Sequence, residues 1–184
     1  MASRIYKGCL IASTLKSEQK GLWFVFHAEG NDVLGLDLTH QHPAIEYKSF
    51  ANVLHAPDRK DEKDKIVLMG GSMNPDDALS ILHETQQQPE DSVRIDENFS
   101  LRTYRYVLIP GKPPEVVGNI KAASTIAFKS AIDFLIIMGF KVWEMPKLNA
   151  DIDNGLYKIV PATKEIVFET SAQDRLTKAL HLIH

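Results

Sequence analysis

The sequence predicts an α+β fold: a single compact domain with a mixed or antiparallel β-sheet and flanking helices. Strand and helix patterns are interspersed without the regular strand–helix–strand alternation of a parallel α/β fold. Turn residues separate several neighbouring strand patterns, which is typical of antiparallel hairpins. The chain has 184 residues, 44% of them hydrophobic, so one domain over residues 1–184 can bury its own core.

The first strand patterns lie near the N-terminus. The apolar run Gly8–Ala12 predicts a short buried strand, and the aromatic-rich run Leu22–His27 predicts a second. Turn residues at Gly30–Asp32 connect it to a third strand pattern at Val33–Leu38, so these two strands are predicted to form a hairpin. The apolar spacing within Glu46–His55 predicts a short amphipathic helix.

The central part of the chain begins with a charged segment. Asp58–Lys65 contains no apolar residue and predicts a solvated loop. Ile66–Met69 predicts a strand that ends in a turn at Gly70-Gly71. Asn74–Asp77 places a capping Asn before a Pro and two acids, which predicts one helical turn, and Leu79–His83 predicts the strand after it.

Strand patterns continue on both sides of one long helical pattern. Ser92–Ile95 and Phe99–Leu101 predict a tight strand pair, and Tyr104–Ile109 predicts a further strand. Glu115–Asp133 has mostly helical apolar spacing and predicts a helix. Phe134–Met138 is apolar throughout, as in a strand that is buried on both faces.

The C-terminal part mixes both kinds of pattern. Pro146–Asp153 predicts a short helix, whereas Leu156–Val160 and Glu165–Phe168 predict strands. Ser171–Asp174 resembles a capping box with Asp in place of Glu, so the last helix is predicted to begin there.

Composition and charge exclude several classes of protein. The net charge is −3 and no basic stripe is present, which disfavours a nucleic-acid partner. The longest apolar run is too short to cross a membrane, and the first 15 residues lack the apolar core of a signal peptide. The single cysteine, Cys9, cannot form an intramolecular disulfide. These observations predict a cytoplasmic protein with no nucleic-acid or membrane partner.

Motifs that bind common cofactors or activate nucleophiles are absent from the sequence. It contains no GxxxxGK[ST], no GxGxxG and no GxSxG, so no cofactor is predicted. Gly70-Gly71-Ser72 is interpreted as a tight turn whose glycines need positive φ. A metal bound by His40 and His42 is conceivable, but a polar loop is the favoured interpretation and no metal is predicted. Cys9, among apolar neighbours, is interpreted as a buried inert thiol.

The candidate ligand-binding residues lie at predicted strand ends. They are Gly70, Gly71, His83, Trp143 and His27. The hypothesis is that the glycine turn, His83 and Trp143 converge on one face, with Trp143 as a wall and His83 as a polar group. The alternative, which is favoured, treats Trp143 as core, the glycines as turn residues, and each histidine as a partly buried imidazole.

An ordered series of short motifs resembles the bacterial YqgE/AlgH family over nearly the whole chain. The motifs are Gly8–Ala12, Phe24–Pro43, Val67–Ser72, Leu82-His83, Ser92–Ile95, Leu101–Thr103, Gly139–Trp143 with Leu148, Pro161-Ala162, Phe168, Asp174-Arg175 and Ala179-Leu180. Polar signature positions differ from the family pattern: Ser13-Thr14 replaces a Pro, Thr39-His40 replaces Asn-Arg, Ser72 replaces the Pro of GGP, and Pro146-Lys147 precedes Leu148 in place of Gly-Gln. The chain resembles a divergent member of the family.

The resemblance implies a compact, cytoplasmic α+β domain with no established activity or cofactor. Some members of the family carry a transcriptional-regulator label, which this sequence does not support because it has no basic recognition helix. The preferred prediction is therefore a non-enzymatic binding or regulatory module, whose partner is a protein or a small molecule. The alternatives are an enzyme with a small-molecule pocket and, less favoured, a DNA-binding regulator.

Overall fold

Two β-sheets and three short helical segments form the described part of the protein, so the predicted α+β fold is confirmed. The computed structural model describes residues 5–48, 66–85, 92–112, 115–117 and 133–183. The predicted loop Asp58–Lys65 lies outside these residues, as does the predicted helix Glu46–His55 beyond Lys48. Within the described ranges, no helix has the length and apolar character needed to cross a membrane.

The first sheet, sheet I, is antiparallel throughout. In spatial order its strands are β10 (Lys141–Glu144), β3 (Asp32–Asp37), β2 (Leu22–Glu29), β1 (Cys9–Ser13) and β11 (Tyr157–Pro161). The predicted hairpin is confirmed, because β2 and β3 pair directly and Gly30 in their turn has a φ of 61°. A bulge between Val25 and His27 shifts the register of this pair.

The second sheet, sheet II, is mixed. In spatial order it contains β4 (Val67–Met69), β9 (Phe134–Met138), β5 (Ala78–Glu84), β7 (Phe99–Val107) and β6 (Val93–Arg94), and β8 (Glu115–Val117) also pairs with β7. Only β4 and β9 are parallel among these pairs of described strands. The predicted pair around Asp96–Asn98 is confirmed as β6 and β7.

The main core lies between the two sheets. Successive side chains of each strand point to opposite faces of its sheet, so one set of side chains reaches this core and the other set does not. In β2, Leu22 and Phe24 face this core, whereas Trp23 and Val25 belong to a second cluster on the outer face of sheet I. Leu82, Phe99 and other residues of sheet II complete the main core. Each sheet is therefore apolar on both faces, so alternation of apolar and polar residues is weak in its strands.

The helical segments cover sheet faces and the open end of the core. Helix α1 (Met145–Asp153) begins at the residue before Pro146, as predicted to within one position, and buries Leu148 in the outer cluster of sheet I. Helix α2 (Ala172–His181) begins after Ser171, as predicted. The hydroxyl of Ser171 contacts the Asp174 carboxylate at 2.8 Å, so the backbone hydrogen bond of a capping box is not formed.

Two predictions of secondary structure are wrong. Glu165–Phe168 was predicted to be a strand, but Glu165–Glu169 forms a π-helix that buries Ile166, Val167 and Phe168. A short apolar run fits a buried strand and a buried helical turn equally well, and packing against the main core selects the turn. The predicted helix Glu115–Asp133 is a strand at Glu115–Val117, because β7 offers a free edge there; residues 118–132 lie outside the described ranges.

Three glycines allow the chain to pass between the two sheets. A Cβ at Gly70 would lie 2.3 Å from the carbonyl oxygen of Gly139, and a Cβ at Gly71 would lie 2.2 Å from the carbonyl carbon of Phe140. Positive φ was predicted for Gly70 and Gly71, but among these three glycines only Gly139 has it, at 81°. Close approach of another backbone segment, and not positive φ, therefore explains why glycine occupies positions 70 and 71.

Candidate ligand-binding site

An open cleft lies beside the outer face of sheet I, where the segment before β2 meets the segment after β4. Its volume is about 650 Å³. Charged and aromatic side chains line it together with a glycine-containing loop: Glu18, Gln19, Lys20, Trp23, Asp37, His40, Met69, Gly71, Ser72, Met73, Lys141 and Val142. The combination of an apolar wall and a few convergent polar groups is typical of small-molecule sites.

Lys141, the first residue of β10, lines this cleft. Its Nζ is 5.1 Å from the ring centroid of Trp23 and 5.1 Å from that of Trp143. It also donates a hydrogen bond to Oε1 of Gln19. Burial lowers the pKa of the Lys141 ammonium group, and the neighbouring Asp37 carboxylate acts in the opposite direction. The cation is thus held over aromatic faces in a partly dehydrated position.

The two tryptophans beneath Lys141 form the floor of the cleft. Their rings meet edge to face, with centroids 5.5 Å apart, and both residues are buried. Gly35 on β3 makes room for them, since a Cβ there would lie 2.7 Å from Cζ3 of Trp143. Gly21 does the same on the other side, where a Cβ would lie 2.7 Å from Cζ2 of Trp23.

A carboxylate–imidazole pair forms one side of the cleft. Oδ2 of Asp37 lies 2.6 Å from Nδ1 of His40, and Oδ1 of Asp37 accepts hydrogen bonds from the amide and the hydroxyl of Thr39. The Asp37 side chain is 8% exposed, whereas that of His40 is 53% exposed. The buried carboxylate therefore orients an imidazole that is open to solvent, an arrangement that can accept a proton from a bound molecule.

The glycine loop forms the opposite side of the cleft. The carbonyl of Gly70 accepts a hydrogen bond from the amide of Asp37 at 2.9 Å, which ties this loop to the end of β3. Among the described residues, none accepts a hydrogen bond from the backbone amide of Gly71 or of Ser72. Both residues line the cleft.

Comparison with known proteins establishes the family. The sequence profile described as AlgH-like matches residues 19–184. The chain belongs to the AlgH-like family. YqgE of Escherichia coli and YqgE of Shigella boydii are each 32% identical to it over 130 residues, which are 69% of this chain and 62% of the relative. The match thus spans less than two thirds of the length of these curated relatives, and the resemblance to the YqgE/AlgH family is confirmed.

Solved structures show that the fold is shared at low sequence identity. The solution structure of AlgH from Pseudomonas aeruginosa matches with a TM-score of 0.65 and 14% identity, and the match covers 100% of this chain and 92% of that protein. A crystal structure of a Corynebacterium diphtheriae protein matches with a TM-score of 0.63 and 11% identity, covering 97% and 88% of the two chains. At these identities the comparison supports the AlgH-like fold alone.

Three of the residues predicted to bind a ligand lie at or next to the cleft. Gly71 lines it directly, Gly70 joins it to Asp37, and Trp143 lies beneath Lys141. Trp143 is 8% exposed and belongs to the outer core of sheet I, so it supports the cleft from below. That these residues bind a ligand in this AlgH-like protein stays a prediction.

The predicted histidines lie elsewhere. His83 is on β5 in sheet II, whereas Trp143 is on β10 in sheet I, and the cleft lining includes neither His83 nor His27. His27 sits at the bulge of β2, partly buried. In the described part of the chain, His83 and Trp143 therefore do not line one shared site, contrary to the hypothesis.

The two histidines considered for a metal contact different partners. The Nδ1 of His42 accepts hydrogen bonds from the amides of Ala44 and Ile45, and its Nε2 lies 2.9 Å from the carbonyl oxygen of Pro75. Both ring nitrogens of His42 are thus occupied, while His40 contacts Asp37. Within the described ranges, no cluster of three or more His, Cys, Asp or Glu residues could hold a metal ion.

Sequence reasoning did not assign the main polar groups of the cleft, Asp37, His40 and Lys141, to a common ligand site. Lys141 is far from Asp37 and His40 in sequence, and His40 was considered only as a metal ligand. The only local signal is Asp37-Leu38-Thr39-His40, in which a short acidic side chain can accept hydrogen bonds from residues two and three positions later. Nothing near Lys141 in sequence indicates that Trp23 lies beneath it.

Proposed function

We propose that this AlgH-like protein is a binding or regulatory module whose cleft on sheet I takes a small molecule with an anionic group. The observation that supports this most is the position of Lys141, whose ammonium group lies over two tryptophan rings within an open cleft. A partly dehydrated cation is stabilised when an anionic ligand approaches it.

The surrounding groups favour the same class of ligand. The negative charge of Asp37 is already matched by three donors, from Thr39 and His40, so it repels an incoming anion less than an open carboxylate would. The amides of Gly71 and Ser72 offer further donors on the opposite wall. An anion bound between Lys141 and this loop would meet donors from two sides.

Thermal shift with defined anions tests the proposal. Inorganic phosphate, citrate and adenosine monophosphate are suitable probes, and a probe present at about 100 times its Kd stabilises the fold by about 2.7 kcal/mol. For a domain of this size that corresponds to a rise in Tm of about 5–10 °C. Lys141→Gln should weaken binding by about 10–100-fold, the value of one charged hydrogen bond.

The matched control is Lys158→Gln, which removes an exposed lysine from β11 on the same sheet, outside the cleft lining. This variant should bind the probe as the unchanged protein does. The proposal fails if no probe raises the Tm at millimolar concentration, or if Lys141→Gln and Lys158→Gln bind equally well.

A second candidate function, an enzyme that uses this cleft, is favoured by the Asp37–His40 pair. An imidazole oriented by a carboxylate is the usual general base, and it would remove a proton from a bound molecule. Exchange of a probe's carbon-bound protons for solvent deuterium, followed by NMR, tests this. The exchange should be lost in His40→Gln while the thermal shift persists; exchange that is equal in both proteins contradicts it.

A further inference from the structure

A separate polar cluster lies on the outer face of sheet II. Its members are His83 on β5, Ser92 just before β6, and Arg102 and Tyr104 on β7. The pairing registers bring them together, since His83 lies opposite Ser100 and Val93 lies opposite Leu101. Because alternate residues of a strand share a face, Ser100, Arg102 and Tyr104 lie on one face of β7.

Hydrogen bonds determine where the proton of His83 lies. Nδ1 of His83 is 2.8 Å from the carbonyl oxygen of Glu84, which can only accept, so Nδ1 carries the hydrogen. Nε2 of the neutral ring is then an acceptor, and it lies 2.8 Å from Oγ of Ser92. The hydroxyl of Ser92 therefore donates to His83. Burial lowers the pKa of His83, and the Arg102 charge lowers it further, so the neutral ring predominates at pH 7.

Arg102 places a positive charge beside the same hydroxyl. Its Nε donates to Oγ of Ser92 at 3.1 Å, and its Nη1 donates to the Tyr104 hydroxyl at 3.4 Å. Arg102 is 1% exposed, and its Nη2 is buried with no hydrogen-bond acceptor among the described residues. A buried, unpaired donor of this kind costs free energy unless an anion or a developing negative charge meets it.

We propose that Ser92 is a nucleophile, that His83 is its general base, and that Arg102 stabilises the oxyanion in acyl transfer from a carboxylic ester. Ser92 is partly buried, whereas His83 and Arg102 are buried, so Ser92 is the member of the triad that an ester would meet first. The Glu84 carbonyl orients the imidazole, the role that a carboxylate has in other serine enzymes. The cleft on sheet I is not involved.

The reaction proceeds in two balanced steps. Oγ of Ser92 attacks the ester carbonyl carbon as its proton moves to Nε2 of His83, and the carbonyl oxygen becomes an oxyanion that the positive charge of Arg102 stabilises. When the tetrahedral intermediate collapses, the bond to the leaving alkoxide breaks, and this oxygen takes the proton from His83. Water, deprotonated by the same imidazole, then releases the carboxylic acid and restores the Ser92 hydroxyl.

Two probes test this on the intact chain. A fluorophosphonate forms a stable phosphonyl ester with an activated serine, and p-nitrophenyl acetate releases p-nitrophenolate on acyl transfer. We expect labelling of Ser92, identified by peptide mass spectrometry, and nitrophenolate release above the rate for heat-denatured protein. Both signals should disappear in Ser92→Ala and fall by about 100-fold or more in His83→Asn, the usual contribution of a general base. Ser171→Ala, which alters a serine at the start of α2, should change neither.

A pH profile keeps the test valid if His83→Asn does not fold. Labelling of the unchanged protein should persist below the ordinary histidine pKa of about 6.5 and fall only at lower pH, where the buried ring becomes protonated. The proposal is overturned if either signal persists in Ser92→Ala, if folded His83→Asn reacts as fast as the unchanged protein, or if the labelling rate does not fall with pH. Absence of both signals would overturn it equally.

Discussion

Replacing Trp143 with alanine distinguishes a core residue from a pocket wall. If Trp143 lined an open pocket, its removal would cost little stability. The structure instead makes Trp143 8% exposed, packed edge to face on Trp23 and in contact with Gly35. We therefore expect a large loss of stability in Trp143→Ala.

The size of this loss follows from area and hydrogen bonding. A buried tryptophan removes about 150–250 Å² from water, which at about 25 cal/mol per Å² corresponds to about 4–6 kcal/mol. The Nε1 hydrogen of Trp143 is buried with no acceptor among the described residues, and its removal offsets about 1–3 kcal/mol of that loss. The expected net loss is about 1–5 kcal/mol, and its upper part coincides with the range of about 3–5 kcal/mol that is usual for such truncations.

Urea unfolding followed by far-ultraviolet circular dichroism measures this change, because tryptophan fluorescence is itself altered by the substitution. Trp143→Phe is the matched control, because it keeps most of the apolar contact with Trp23 and removes the unpartnered N–H. Its loss of unfolding free energy should be less than about half of the loss in Trp143→Ala. A loss below about 1 kcal/mol in Trp143→Ala would refute the reasoning. So would a Trp143→Phe variant as unstable as Trp143→Ala.

Three further predictions concern other parts of the protein. Gly35→Ala should lower the free energy of unfolding by about 1–3 kcal/mol, since its Cβ would lie 2.7 Å from Cζ3 of Trp143. Urea unfolding should show that Gly35→Ala costs less stability in a Trp143→Phe background. An equal cost in both backgrounds would contradict the steric cause. Because the folded-state pKa of His83 is lowered, the unfolded chain binds more protons below about pH 6.5, and stability should fall as the pH drops from there towards the folded-state pKa. Unfolding between pH 7 and pH 5 should show a shallower pH dependence in His83→Asn, by up to about 1.4 kcal/mol per pH unit, and an unchanged slope would count against a lowered pKa. Finally, with a net charge of −3, the protein should not bind duplex DNA tightly at physiological salt, and a sequence-specific gel shift at submicromolar concentration would disprove this.

The elements that the sequence predicted well are those whose pattern depends on near neighbours. The hairpin of β2 and β3 needed a turn with Gly30 in a left-handed conformation between two apolar runs. Strand β9 is apolar throughout and is buried in the middle of sheet II. Pairing partners across the chain were not predicted, because nothing local distinguishes β1 pairing with β11 from other choices.

The wrong predictions have a common physical cause. Ile166, Val167 and Phe168 are apolar in succession, so no alternation or helical spacing separates a strand from a helical turn. Val116 was assigned to a helix from the spacing of later residues, but the free edge of β7 offered backbone hydrogen bonds to Glu115–Val117. In both places a contact distant in sequence decided the local conformation.

The sequence by itself determined the fold class, the family and most strand positions, because periodicity, turn residues and ordered motifs are local properties. It also placed Gly70, Gly71 and Trp143 among the residues of interest. Only the tertiary structure decided what surrounds each of them: the strands of sheet I had to pair before Lys141 could lie over Trp23, and β6 and β7 had to pair before Arg102 could reach Ser92. Desolvation and charge at a site arise from residues far apart in the chain, and their positions depend on the whole fold.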